Sequence, residues 1–198
     1  MLLNDNDIRK LLIKRIRNYK DCCVYEEMTV PSGKARADIV AINGHVSAYE
    51  IKSDFDSLKR LKSQINEYDL NFEKNYIVTG KKYADKVKEI VPNYWGIILV
   101  YGENYGDLKL SFVRQAKLNP NLSFTNFLSL LTSNQVKYLA KQTPIFLKSY
   151  SKKEIQTMFK QEIISNLGDL LPENKKRYLK KIVRESMKGK DIKELTRT

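Results

Sequence analysis

The chain is poor in cysteine, histidine and glycine, and each shortage excludes something. Only two of its 198 residues are cysteines, Cys22 and Cys23. They are adjacent, a spacing that rarely reaches disulfide geometry, and no spacing resembles a zinc site. A reducing cytoplasm is therefore the expected location. His45 is the one histidine and follows a turn signal, so a histidine-based triad is not expected. The eight glycines include no phosphate-cradling run, because Gly102-Glu103-Asn104-Tyr105-Gly106 lacks the Lys-Ser/Thr of a nucleotide loop. No apolar stretch is long enough to cross a bilayer. The first 17 residues are broken by Asp5, Asp7, Arg9, Lys10, Lys14 and Arg15, so they do not read as a signal peptide.

Negative charge is also scarce. Against 36 Lys and Arg stand 23 Asp and Glu, a net charge of +13. That excess points to a polyanionic partner, nucleic acid first. A lysine-rich solvated surface is the competing explanation. A hydrophobic share of 42% and a charged share of 30% place the chain with globular proteins and away from disordered ones. Its length suits one domain, or one domain with an appendage.

What is present is an ordered alternation of elements. Asn4 or Asp5 can cap a first helix whose apolar face is Ile8, Leu11, Leu12, Ile13 and Ile16. Strands are expected at 22–30, 35–42, 46–52, 75–79, 95–101 and 108–113, with Asn43-Gly44 as a hairpin signal. Helices are expected at 54–70, capped by Asp54, and at 82–91, stopped by Pro92. The 95–101 run is apolar throughout, as in a strand buried on both faces, and Trp95 at its start reads as core. Asn119-Pro120-Asn121 looks like a linker, and helices are expected at 124–131, 133–141, 152–165 and 173–188. The reading is an α/β (α+β) fold: a mixed central sheet flanked by helices over 1–116, then a basic helical region over 117–198.

The chemistry concentrates in two neighbouring strands. Asp38 lies in one, and Glu50-Ile51-Lys52 ends the next. Two carboxylates can hold a magnesium ion, which needs only one or two and keeps several waters. Lys52 is two residues beyond Glu50, so on a strand it projects from the same face and can orient a water or meet a phosphate. The Ile51 carbonyl can complete the metal shell. The parity of the hairpin loop is decisive. A plain two-residue loop at Asn43-Gly44 pairs Asp38 with Tyr49 and turns it away from Glu50. An odd loop, pairing Ala41 with His45, puts Asp38 opposite Ala48 and on Glu50's face. An odd loop or a bulge is therefore expected.

Glu26-Glu27, Arg36-Ala37-Asp38-Ile39, the run from Tyr49 to Asp54 and Tyr94-Trp95-Gly96 together resemble the PD-(D/E)XK, restriction-endonuclease-like nuclease superfamily. Within it they are most similar to small bacterial members of unassigned role. The pattern covers about 5–113, and Ala37 stands where that superfamily has a proline that gives no side-chain ligand. The resemblance implies a restriction-endonuclease-like core and a Mg²⁺- or Mn²⁺-dependent nuclease that cuts DNA and leaves a 5′-phosphate. Asp38, Glu50 and the Ile51 carbonyl would bind metal, and Lys52 would assist the water. Glu27, with Glu26 and Asp7 as alternatives, would supply a further acid, and Gln64 would sit beside the metal. Lys34, Arg36, Lys59, Arg60 and Lys62 are the expected nucleic-acid contacts, and a homodimer or a protein partner would suit double-strand cutting. The alternative is a non-catalytic nucleic-acid-binding or partner-gated assembly module on the same fold. Lys152-Lys153, Lys175-Lys176-Arg177 and Lys180-Lys181 form basic helical stripes that suit either phosphate contact or plain solvation.

Overall fold

The computed structural model describes residues 1–197. The chain divides into two compact units, Met1–Leu122 and Ser123–Thr198.

The first unit carries a six-stranded mixed sheet in the order β1-β2-β3-β4-β5-β6. The strands are β1 (Cys23–Thr29), β2 (Arg36–Asn43), β3 (His45–Lys52), β4 (Lys74–Thr79), β5 (Gly96–Tyr101) and β6 (Lys109–Arg114). The first three form an antiparallel meander, β3, β4 and β5 run parallel, and β6 returns antiparallel. Helices α2 (Leu61–Asn71) and α3 (Ala84–Ile90) make the parallel crossovers, since parallel neighbours cannot be joined by a tight turn.

Helix α1 (Asp5–Arg17) starts where the sequence signals it. Asn4 accepts from the Asp7 amide and Asp7 answers on the Asn4 amide, a complete capping box. Ile8, Leu12 and Ile16 lie on one side and are buried with Ile39, Ala41, Tyr49 and Ile51 of the sheet. Each such side chain contributes roughly 1.5–3 kcal/mol by leaving water. Because strand side chains alternate, the residues between them, Asp38, Val40, Ala48, Glu50 and Lys52, project from the opposite face.

The start of α2 differs from expectation. The helix begins at Leu61, seven residues after Asp54. Asp54 does not cap it: its Oδ2 accepts from the Leu3 amide at 2.7 Å, and its own amide donates to the Leu3 carbonyl. Asp56 instead closes a turn on Ser53, accepting from its amide and its hydroxyl at 2.8 and 2.6 Å. Leu58, Lys59 and Arg60 therefore lie in a loop.

The first unit also runs past 116. Asn119 is buried: its amide donates to the Glu73 carbonyl and its side chain to the Asp69 and Phe72 carbonyls. The segment expected as a linker is thus stitched to the end of α2. Trp95 is fully buried and donates to Asp69 at 2.8 Å.

The second unit is helical: α4 (Phe124–Leu128), α5 (Ser133–Gln142), α6 (Pro144–Leu147), α7 (Lys152–Thr157), α8 (Lys160–Leu170), α9 (Glu173–Met187) and α10 (Ile192–Leu195). The expected helix at 152–165 is two helices, since Met158 and Phe159 are extended between α7 and α8. Among the described residues no helix is long and apolar enough to cross a membrane.

Candidate metal-ion and nucleic-acid site

The hairpin sets the site. Gly44, at φ +72°, reverses the chain alone between the paired Asn43 and His45. A side chain would be strained in that left-handed region. The loop is odd, as the parity argument requires, but tighter than expected. Ala41 pairs with Ser47 and Ile39 with Tyr49, so the register carries Asp38 opposite Glu50 itself instead of Ala48. Both carboxylates then face the side covered by α2.

Glu50 is 1% exposed and Lys52 6%. A carboxylate this deep needs partners, and Glu50 has three. Lys52 Nζ lies 2.5 Å from Oε1, Gln64 Nε2 donates to the same oxygen at 2.5 Å, and the Tyr68 hydroxyl donates to Oε2. Gln64 and Tyr68 are four residues apart on α2, which puts them on one face of the helix. Burial, then the Glu50 charge, pushes the Tyr68 hydroxyl well above its usual range, so it stays a proton donor.

Asp38 is held differently. Its Oδ2 accepts from the Ile51 amide at 2.7 Å. In a strand the N–H and C=O of one residue point to the same side, so the Ile51 carbonyl also points towards Asp38. Burial, then the neighbouring Glu50 charge, pushes the Asp38 carboxyl up to about 7, against the Ile51 amide, Arg9 and Lys52. The Asp38 carboxylate thus lacks full compensation by the protein's own cations, which is the condition a bound cation relieves.

Arg9, given no site role by the sequence, organises the acids beside this pair. It donates to Asp5 at 2.8 Å and to the Asp38 carbonyl at 2.9 Å, and pairs with Glu27 at 2.8 Å. Asp38 Oδ1 and Glu26 lie 3.7 and 3.8 Å from its guanidinium. Its i,i+4 spacing from Asp5 on α1 was the only local signal. Glu27 lies between Glu26 and Met28, which pair with Ile39 and Ala37, and its backbone sits at φ +54°. That strained conformation accompanies a carboxylate gripped by two guanidinium groups, Arg9 and Arg36, the latter at 2.7 Å. Glu27 is therefore committed to arginines and does not join Asp38 and Glu50. Glu26 is half-exposed near Arg9, and Asp7 belongs to the cap of α1.

A cavity of about 420 Å³ opens over the pair, with Asp38, Glu50, Ile51, Lys52 and Gln64 among its lining. Lys34, Arg36 and Arg60 also line it, while Lys59 and Lys62 are exposed outside it. Among the described residues no three His, Cys, Asp or Glu gather as a metal cluster. The donor set nonetheless fits a hard cation that keeps waters of its own: two carboxylates, the Ile51 carbonyl, and the buried Gln64 Oε1, which has no hydrogen-bond partner.

Comparison with known proteins places the chain. The family model for bacteriophage P4 protein cII matches residues 4–196. Protein cII of Enterobacteria phage P4 is 31% identical over 146 residues, covering 71% of this chain and 54% of that protein. The chain thus spans about half the length of that curated relative. Among solved structures, a protein of unknown function from Silicibacter pomeroyi superposes with a TM-score of 0.44 at 18% identity, over 59% of this chain and 74% of the other. The family match runs through both units, and on that match the chain belongs to the bacteriophage P4 protein cII family.

Proposed function

We propose that the protein is a metal-dependent nuclease of PD-(D/E)XK type that hydrolyses phosphodiester bonds in DNA in the cytoplasm. The observation that carries this reading is the placement of Asp38 and Glu50 side by side, with Lys52 against Glu50, in a cavity that Lys34, Arg36 and Arg60 also line. Asp38, Glu50 and the Ile51 carbonyl would hold Mg²⁺ or Mn²⁺. Bound there, such an ion lowers the pKa of a water and neutralises charge building on the phosphate. Tyr68 and Gln64 fix Glu50 by hydrogen bonds. Lys52 spends one N–H on Glu50 and has two left, enough to orient the attacking water and meet a phosphate oxygen. The water oxygen bonds to phosphorus, the bond to the 3′ oxygen breaks, and a proton ends on that oxygen, leaving a 5′-phosphate. Lys34, Arg36 and Arg60 would take the flanking phosphates. Cutting both strands of a duplex would call for two copies of the chain.

One observation favours the second reading, a nucleic-acid-binding or partner-gated assembly module. Both Glu50 oxygens already accept hydrogen bonds within the protein, so a metal must share the carboxylate with them. The full chain, with Mg²⁺ or Mn²⁺ and labelled single-stranded, duplex and branched DNA or RNA, separates the two. The nuclease reading expects cleavage that chelation and Lys52→Ala abolish. No cleavage of any substrate, with salt-dependent binding that survives Asp38→Ala/Glu50→Ala, hands the site to the second reading.

A further inference from the structure

The geometry points to a second nucleic-acid contact, apart from the carboxylate pair: a groove in the helical unit that takes an unpaired base of a single strand, with the adjoining phosphates on the lysines of its rim. The groove has a volume of about 390 Å³ and is walled by Ile145, Leu171, Pro172 and Leu179, with Tyr178 at its lip and Lys148 and Lys175 on the rim. Tyr178 is 39% exposed, and its hydroxyl donates to the Leu195 carbonyl, which fixes the ring.

No acidic residue lines this groove. Four of the unit's acids are engaged elsewhere. Glu154 and Asp191 cap helices, Glu173 pairs with Lys176, and Glu185 pairs with Lys188 and Lys190. The rim is therefore cationic.

An apolar slot with a fixed aromatic ring and cations beside it matches a nucleobase between two phosphates. An uncharged apolar peptide would gain nothing from the rim. A duplex would meet the rim but could not fill the slot without unstacking a base.

The test is fluorescence anisotropy of the full chain with two labelled strands of equal length, one oligo-dT and one of abasic spacers, and with a duplex. It is run in EDTA, so metal-dependent cutting is silent and the outcome is independent of the nuclease reading. The dT strand is expected to bind about tenfold or more tighter than the abasic strand. Tyr178→Ala should remove that difference, Tyr178→Phe should keep it, and each variant's fold is checked by circular dichroism. Lys148→Glu with Lys175→Glu should weaken both strands and flatten the salt dependence. Equal binding of dT and abasic strands, tighter binding of the duplex, an unchanged preference in a folded Tyr178→Ala, or no binding at all overturns the proposal.

Discussion

The two units use charge in opposite ways. Residues 1–122 hold 20 of the 36 Lys and Arg and 16 of the 23 Asp and Glu, a net charge of +4; residues 123–198 hold 16 and 7, a net charge of +9. In the first unit the telling charges are bound to each other, as Glu27 is to Arg9, and the Glu50–Lys52 pair is buried as well. In the second they stand on helix surfaces, as Lys175, Arg177 and Lys181 do. A buried charge is expensive to strand, so its partners are specific and its position is fixed. An exposed charge contributes little alone and acts through the summed field. On the proposed reading, the first unit holds a ligand at a point and the second attracts one along a surface.

The largest break in this comparison should come from Lys52→Met. It leaves the Glu50 carboxylate buried with only Gln64 and Tyr68, and should cost about 3 kcal/mol in urea unfolding. The loss should be nearly independent of salt, because screening scarcely reaches a buried pair. A loss below about 1 kcal/mol would mean the pair behaves like a surface one, and the contrast would fail.

A smaller effect concerns pH. The Asp38 carboxyl titrates near 7 in the folded protein against an ordinary value of 3.8. Between those values the folded state holds a proton that the unfolded chain has released. Stability of the metal-free protein should therefore fall as pH rises from about 4 to about 7, and the loss should persist above. Asp38→Asn should remove that slope in thermal melts followed across this range. An unchanged slope would assign it to another group.

The smallest effect is expected in the second unit. Lys181→Gln should change unfolding free energy by less than about 0.5 kcal/mol, since Lys181 is exposed on α9. It should still weaken nucleic-acid binding at low salt, with the difference vanishing as salt rises. A large stability loss would show that α9's charges are structural after all.

What could be read from the sequence was what depends on near neighbours. The strands followed from period-two patterns, and Asp38, Glu50 and Lys52 shared a face because that period and the loop's parity are local properties. Gly44 announced the turn, though not that it would reverse the chain alone. What stayed hidden depends on partners far along the chain. Asp54 looks like a cap, but the Leu3 amide, 51 residues away, takes its side chain. Nothing local announces that the Tyr68 hydroxyl meets Glu50, 18 residues back. Glu27 reads as a further acid of the site until Arg9 from α1 reaches it. The break at Met158-Phe159 has no Gly or Pro to mark it, and Asn119 reads as linker because its anchors lie on α2 and just beyond it.

The central claim is that Asp38 and Glu50 make a metal site. Mn²⁺ titration by calorimetry, on the parent chain and on Glu50→Ala, tests it most directly. The account predicts a tight site in the parent that disappears in the variant while the variant remains folded. Equal binding by both proteins, or binding by neither, would contradict it.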